Sequence, residues 1–97
     1  MLVTLYKTDR TDHLRYYAID DRQVHLFSSH TFSVTWGSSL SMGNEKHYTF
    51  DTRDEMDRQL RRLIRARIRE GYRVLYSYFR PEEYADLRPT LRRAAVS

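Results

Sequence analysis

The arginine residues in the second half of the chain are the side chains best suited to bind a charged ligand. Residues 51–97 contain twelve basic and eight acidic residues, whereas residues 1–50 contain five of each. Fifteen of the seventeen cationic residues are arginine, whose planar guanidinium group binds phosphate or carboxylate through paired hydrogen bonds. The formal net charge of +4 therefore comes wholly from the second half.

Seven of these arginines lie within residues 52–70. Four of them, Arg58, Arg62, Arg65 and Arg69, have the i, i+4, i+7, i+11 spacing of a single stripe on a helix. Such a stripe is either a solvated helix face or a surface that binds a phosphate backbone. Acidic neighbours are concentrated in the first two turns, so phosphate binding is favoured at the end of the helix.

The only tryptophan, Trp36, is a second candidate for ligand contact. It ends a run, residues 31–36, in which Phe32, Val34 and Trp36 alternate with polar residues. This alternation favours packing of Trp36 in the core. Its position before Gly37 also suits a ring at the rim of a sheet, where it could stack on a sugar or a base. Both interpretations hold if one face of the ring is buried.

The remaining reactive residue types form no recognisable site. The histidines have no metal-binding spacing, and the chain contains no cysteine. The serines of the loop at residues 37–43 do not match a nucleophile elbow, and this loop lacks the Gly-Lys-Ser/Thr ending of a phosphate-binding loop. We therefore expect a binding protein that is not an enzyme and that has no metal, cofactor or small-molecule substrate.

Length and hydropathy favour one small domain. The chain has 97 residues, of which 40% are hydrophobic and 31% charged, which is enough for one modest core. The apolar start at residues 1–5 is shorter than a signal peptide requires, and no run approaches the ~20 apolar residues of a membrane span. We expect a cytoplasmic protein without membrane contact, with a domain at residues 1–88 and a flexible basic tail at residues 89–97.

The hydrophobic periodicity predicts the elements that must position the arginines and Trp36. Strands are predicted at residues 2–7, 14–19, 24–27, 31–36 and 46–50, joined by short polar turns. Thr52 and Glu55 match a capping box that begins a long helix, and Gly71 is placed to end it. A strand at residues 72–79 and a short helix at residues 81–87, ended by Pro89, complete the prediction. The expected fold is α+β, with an antiparallel meander packed against one long helix.

In this order, several short segments resemble the WGR domain family. The resemblance covers residues 14–72, and its parts are Leu14-Arg15-Tyr16-Tyr17, Thr35-Trp36-Gly37, Met42-Gly43-Asn44-Glu45-Lys46, Phe50-Asp51-Thr52 and Arg67-Ile68-Arg69-Glu70-Gly71-Tyr72. The family occurs in DNA-damage-responsive poly(ADP-ribose) polymerases and in small bacterial proteins. The chain is similar to a stand-alone WGR domain, without the catalytic domain of the polymerases.

The resemblance implies a surface that meets a DNA end. It nominates Trp36 for stacking on a terminal sugar, and Lys46 and Arg67 for phosphate contact. At the position of the signature arginine this chain has Ser38, which can form hydrogen bonds but carries no charge.

The leading expectation is a nucleic-acid-binding module with little sequence specificity, and with DNA favoured over RNA as the partner. The basic end of the helix adds Arg65 and Arg69 to the candidate site residues. The alternative is a protein-interaction or dimerisation module that uses the tyrosine-rich sheet or the strand at residues 72–79.

Overall fold

The computed structural model describes residues 1–21, 30–39 and 43–95. Its elements in chain order are β1 (Leu2–Thr8), β2 (Leu14–Asp20), β3 (Thr31–Ser38), β4 (Asn44–Thr49), α1 (Arg53–Arg69), β5 (Arg73–Tyr78), a 3₁₀ helix (Ala85–Leu87) and α2 (Arg88–Arg93). These bounds lie close to the predicted ones for five strands and the long helix. The strand predicted at residues 24–27 lies outside the described residues.

The strands form one five-stranded antiparallel sheet with the order β4-β3-β2-β1-β5. The first four strands follow one another as a meander, as the short polar turns predicted. After α1 the chain returns on the far side of β1, so that β4 and β5 become the two edges. The predicted α+β class and the antiparallel meander are confirmed.

The core lies between α1 and one side of the sheet. Alternate strand residues point to this side, and the fully buried ones are Val3, Leu5, Ile19, Phe32 and Val34. The helix contributes Met56, Leu60 and Ile64 from its apolar stripe. Each buried aliphatic or aromatic side chain contributes about 1.5–3 kcal/mol to folding. The other side of the sheet carries half-buried rings, because Tyr6 and Tyr16 are paired there in the opposite phase of the alternation.

The ends of α1 are fixed by the predicted residues. The Glu55 amide donates to Thr52 Oγ1 at 3.1 Å, which confirms Thr52 as the N-cap. At the other end Gly71 adopts a φ of 101°, and the Tyr72 amide donates to the Arg67 carbonyl at 3.1 Å. Gly71 is therefore the C′ glycine that turns the chain into β5.

The segment after β5 differs from the prediction. Pro89 does not end a helix; it lies in the first turn of α2, where its missing N–H is not needed and its fixed φ suits a helix. Of the flexible tail expected at residues 89–97, residues 89–93 lie in α2, and Leu91 is buried in the core. The buried ring of Tyr84 holds the preceding loop to α1 by donating a hydrogen bond to Asp57 Oδ1 at 2.6 Å.

Candidate nucleic-acid interface

Trp36 lies where the sheet extends beyond the end of α1. On β3 it is paired with Tyr17 of β2 and Asn44 of β4. Phe32 and Val34 have the same phase and are buried, but the Trp36 ring keeps 36% of its surface exposed. The last turn of α1 covers Tyr17 and then ends, so the neighbouring indole is left at the rim of the core.

A surface depression surrounds this ring. It is lined by Arg15, Trp36, Gly37, Ser38, Asn44 and Tyr72. A second depression shares Arg15 and is lined by Tyr6, Lys7, Thr8, Asp9, Arg10, Arg15, Glu70, Gly71 and Arg73. We call the residues lining both depressions, together with Arg67 beside them, the Trp36 surface. Its cations are Lys7, Arg10, Arg15, Arg67 and Arg73, and its acids are Asp9 and Glu70.

Arg67 reaches this surface from α1. Its guanidinium group lies 5.1 Å from the centre of the Tyr17 ring, and its Nη2 atom is 3.2 Å from Glu70 Oε1. Its buried Nε atom has no hydrogen-bond partner among the described residues. The aromatic ring and the carboxylate thus hold the guanidinium over Tyr17, the strand partner of Trp36, while Glu70 offsets part of its charge.

Lys7 and Arg15 are also cations of this surface, although counting charges along the chain selected only the second half. They are paired across β1 and β2, in the same phase as the buried Leu5 and Tyr17, at the strand ends beyond the core. Lys7 Nζ is 5.0 Å from the centre of the Tyr72 ring. It also lies 3.4 Å from the Glu70 carbonyl, where the helix dipole favours a cation. Strand periodicity was the signal that could have identified both.

Arg15 is an exposed cation of this surface whose charge is partly offset by Asp9. Its side chain is 55% exposed, and its Nε atom is 3.6 Å from Asp9 Oδ2. Asp9 is already engaged in the turn between β1 and β2, where it accepts hydrogen bonds from the amides of Thr11 and His13. A hydrogen bond from the Thr11 hydroxyl, together with these two amide bonds, holds the pKa of Asp9 well below its usual range. The carboxylate therefore stays ionised beside Arg15.

Lys46 is on β4 in the same phase as Trp36, two residues from Asn44. Its Nζ atom lies 4.8 Å from the centre of the Tyr48 ring. The sheet pairing makes Lys46 a diagonal neighbour of Trp36, about 7 Å away between Cα atoms. Lys46 is thus beside the Trp36 surface but does not line either depression.

Arg65 and Arg69 lie apart from Trp36. Each is two residues from Arg67, which corresponds to a rotation of about 200° around a helix. Arg65 Nη2 is 3.4 Å from Asp86 Oδ2, and Arg69 Nε donates to the Arg65 carbonyl at 3.4 Å. The structure therefore places one late-helix arginine, Arg67, over Tyr17, the cross-strand partner of Trp36, and directs the other two to a different side of α1.

Ser38, Gly37 and Gly43 lie around the depression that contains Trp36. Ser38 is paired with Arg15 at the end of β3, where it lines the same depression as Trp36. On the opposite side of the sheet the Tyr16 ring lies over Gly37 and Gly43, and a Cβ atom on Gly43 would collide with its hydroxyl oxygen. Glycine at both positions lets Tyr16 cover the backbone behind Trp36.

Other kinds of site are not seen in the part of the chain that the structure describes. No group of three or more His, Cys, Asp or Glu residues there could hold a metal ion. No helix among the same residues is long and apolar enough to cross a membrane. Of the histidines weighed for metal binding, His25 lies outside the described residues.

Comparison with known proteins identifies the domain. The model of the WGR domain family matches residues 1–77, more than half of the chain. No curated protein and no solved structure gives a significant match. A WGR domain is a non-catalytic module known to bind nucleic acid. The observed sheet, with Trp36 at its rim and a helix followed by Gly71-Tyr72, agrees with the resemblance in the sequence, and the chain belongs to the WGR domain family.

Proposed function

We propose that this chain is a non-enzymatic module that binds DNA through the Trp36 surface. The observation that carries the proposal is the half-buried indole in one depression with Arg15 and Ser38. A ring that is held on one face and open on the other can stack on a sugar or a base, which contributes about 1–3 kcal/mol. DNA is favoured over RNA by the resemblance to the polymerases' domain.

The proposed phosphate contacts come from cations on three elements, β1, β2 and α1. Lys7 on β1, Arg15 on β2 and Arg67 on α1 surround Tyr17 and Tyr72, and Lys46 extends the cationic surface along β4. Ser38 supplies a hydroxyl in place of a charge. Arg65 and Arg69 then act only as part of the general positive field, because Arg65 is engaged with Asp86.

The arrangement predicts little sequence specificity. Contacts to phosphate and sugar position a protein on nucleic acid but do not read bases, and the Trp36 surface is a rim rather than a helix or ribbon that enters a groove. With about three phosphates neutralised, the logarithm of the binding constant should fall with the logarithm of salt concentration with a slope of about −2 to −3.

Binding of labelled blunt, nicked and single-stranded oligonucleotides at two salt concentrations tests the proposal. We expect measurable affinity at low salt, a loss of about tenfold or more in Trp36→Ala, and a similar loss with a shallower salt slope in Arg15→Glu. Arg58→Glu is the matched control, because Arg58 is an exposed arginine of α1 that has no carboxylate partner among the described residues. Equal losses in Arg15→Glu and Arg58→Glu, with none in Trp36→Ala, would leave only non-specific attraction and refute the site.

A further inference from the structure

The two edges of the sheet differ in their protection. The β4 edge carries Glu45, Lys46 and His47 in succession, and such charges discourage pairing with another strand. The β5 edge has no charged residue from Val74 to Phe79. Leu75, Tyr76 and Tyr78 there are exposed by 63%, 53% and 54%.

Only the beginning of β5 is covered on its outer side within the described residues. The Val74 amide donates to the Ala94 carbonyl at 2.8 Å, and Val74 forms an isolated parallel bridge with Ala95. From Leu75 onwards β5 is the outermost strand of the sheet in the described part of the chain. Its outward backbone groups are therefore available to an added strand.

A groove with cationic walls runs along this edge. It has a volume of about 360 Å³ and is lined by Val74, Ser77, Phe79, Arg88, Leu91, Arg92 and Ala95. Arg88 is oriented by hydrogen bonds from its Nη2 atom to the carbonyls of Pro81 at 2.8 Å and Arg80 at 3.2 Å. Among the described residues no carboxylate lies within 4 Å of the guanidinium groups of Arg88 or Arg92. Both charges are therefore open to a ligand, in contrast to those of Arg61 and Arg65.

We propose that β5 and α2 form a docking site for an extended acidic peptide of a partner protein, which adds to the sheet as a sixth strand. Main-chain hydrogen bonds supply affinity in this mode of recognition, and alternate side chains supply specificity. The pleat directs alternate side chains of the added strand to opposite sides of the sheet. Acidic residues on the α2 side would meet Arg88 and Arg92, and apolar residues on the other side would lie beside Tyr76 and Tyr78.

Charge makes a second copy of this chain the poorer occupant. Antiparallel pairing of β5 with itself would bring Arg73, at one end of the strand, close to Arg80 of the other copy, just beyond its end. Juxtaposed like charges oppose association, and no acidic residue lies in β5 to offset them. An acidic strand would instead bring negative charges to Arg88 and Arg92. Apart from Arg73, the docking site shares no residue with the Trp36 surface, so it does not depend on the proposed function.

The test uses the full chain and a short fluorescein-labelled peptide in which valine and glutamate alternate, with binding followed by anisotropy. We expect the valine–glutamate peptide to bind and the matching valine–lysine peptide not to bind. Arg92→Glu should weaken binding about tenfold or more, since this exposed side chain makes no hydrogen bond within the described residues. Arg62→Glu, the same change on an exposed arginine of α1, should leave binding unchanged.

Two further peptides distinguish strand addition from attraction of charge. One carries N-methyl groups on the odd backbone nitrogens and the other on the even ones, because only alternate N–H groups of an added strand face its neighbour. We expect one methylated peptide to lose binding and the other to retain it. Equal binding of both would overturn the proposal. The proposal would also be overturned if the molecular mass of the protein in solution rose with concentration and Arg92→Glu left this rise unchanged. The edge would then be occupied by a second copy.

Discussion

Trp36 shows how one sequence pattern leads to two environments. Phe32, Val34 and Trp36 have the same phase on β3, yet the first two are buried and the third is exposed by 36%. Arg67, in the last turn of α1, lies over Tyr17 of β2, which is the partner of Trp36 on the neighbouring strand. The interpretation of Trp36 as a core residue is therefore only partly right, and its stacking on a sugar or a base stays a prediction.

At the same scale, Gly43→Ala should destabilise the fold by about 1–3 kcal/mol, because the new Cβ would collide with the Tyr16 hydroxyl. Chemical denaturation measures the change in the free energy of unfolding. The double variant Tyr16→Phe/Gly43→Ala should recover most of the loss, since phenylalanine lacks the colliding oxygen. Failure of this rescue would show that glycine at position 43 is required for another reason.

At the scale of the element, three of the seven arginines of α1 pair with carboxylates elsewhere in the fold. Arg53 contacts Asp57 and Glu83, and Arg61 donates two hydrogen bonds to Asp86, at 2.9 and 3.1 Å. These contacts hold the loop after β5 and the 3₁₀ helix against α1. Of the basic stripe predicted from spacing, only Arg65 pairs with a carboxylate among the described residues.

The N-cap of α1 gives a prediction for the element itself. Thr52→Ala removes the acceptor for the Glu55 amide and should lower the free energy of unfolding by about 1 kcal/mol. Thr52→Ser keeps the hydroxyl and should leave stability nearly unchanged. Urea denaturation of both variants checks this, and equal losses would show that the methyl group of Thr52 is what matters.

Asp86 links the 3₁₀ helix to α1 and should make that link sensitive to acid. Hydrogen bonds from Arg61 hold the pKa of Asp86 below its ordinary value. A lowered pKa means that this stability is present above about pH 4 and is lost as the pH falls further, when the carboxylate takes up a proton. The pair is largely exposed, so the expected contribution is only about 0.5 kcal/mol. Unfolding curves between pH 5 and pH 2.5 should show a shallower decline in Asp86→Asn.

At the scale of the whole molecule, two buried tyrosines predict instability in alkali. Burial raises the pKa of Tyr17 to about 12, although the Arg67 charge opposes this. Burial and the hydrogen bond to Asp57 also raise the pKa of Tyr84. Because the unfolded chain releases these protons near pH 10, the stability is complete below that pH and falls as the pH rises toward 12.

Tyr17→Phe should reduce this alkaline loss, by about 1 kcal/mol at pH 11. Tyr78→Phe is the control, because the Tyr78 ring is exposed on β5. The measurement is the free energy of unfolding from pH 8 to pH 11.5. Parallel curves for the wild type and Tyr17→Phe would contradict the role given to Tyr17.

The distribution of charge in the folded molecule differs from its distribution along the chain. Counting along the chain assigns the whole positive excess to residues 51–97. In space, the Trp36 surface combines Lys7, Arg10 and Arg15 from the first half with Arg67 and Arg73 from the second. Folding therefore forms a cationic surface that no single segment of the sequence displays.

The elements and their ends could be predicted from the sequence, because local rules govern them. Alternation set the strand phases, and Thr52 and Gly71 set the limits of α1. Tertiary structure decided which charges are available. The carboxylates of Glu83 and Asp86, far from α1 in the chain, engage Arg53, Arg61 and Arg65. The course of the loop that carries them after β5 also misled the prediction at Pro89. Spacing along a helix gives the direction of a side chain, but only the packed fold places an opposite charge in that direction.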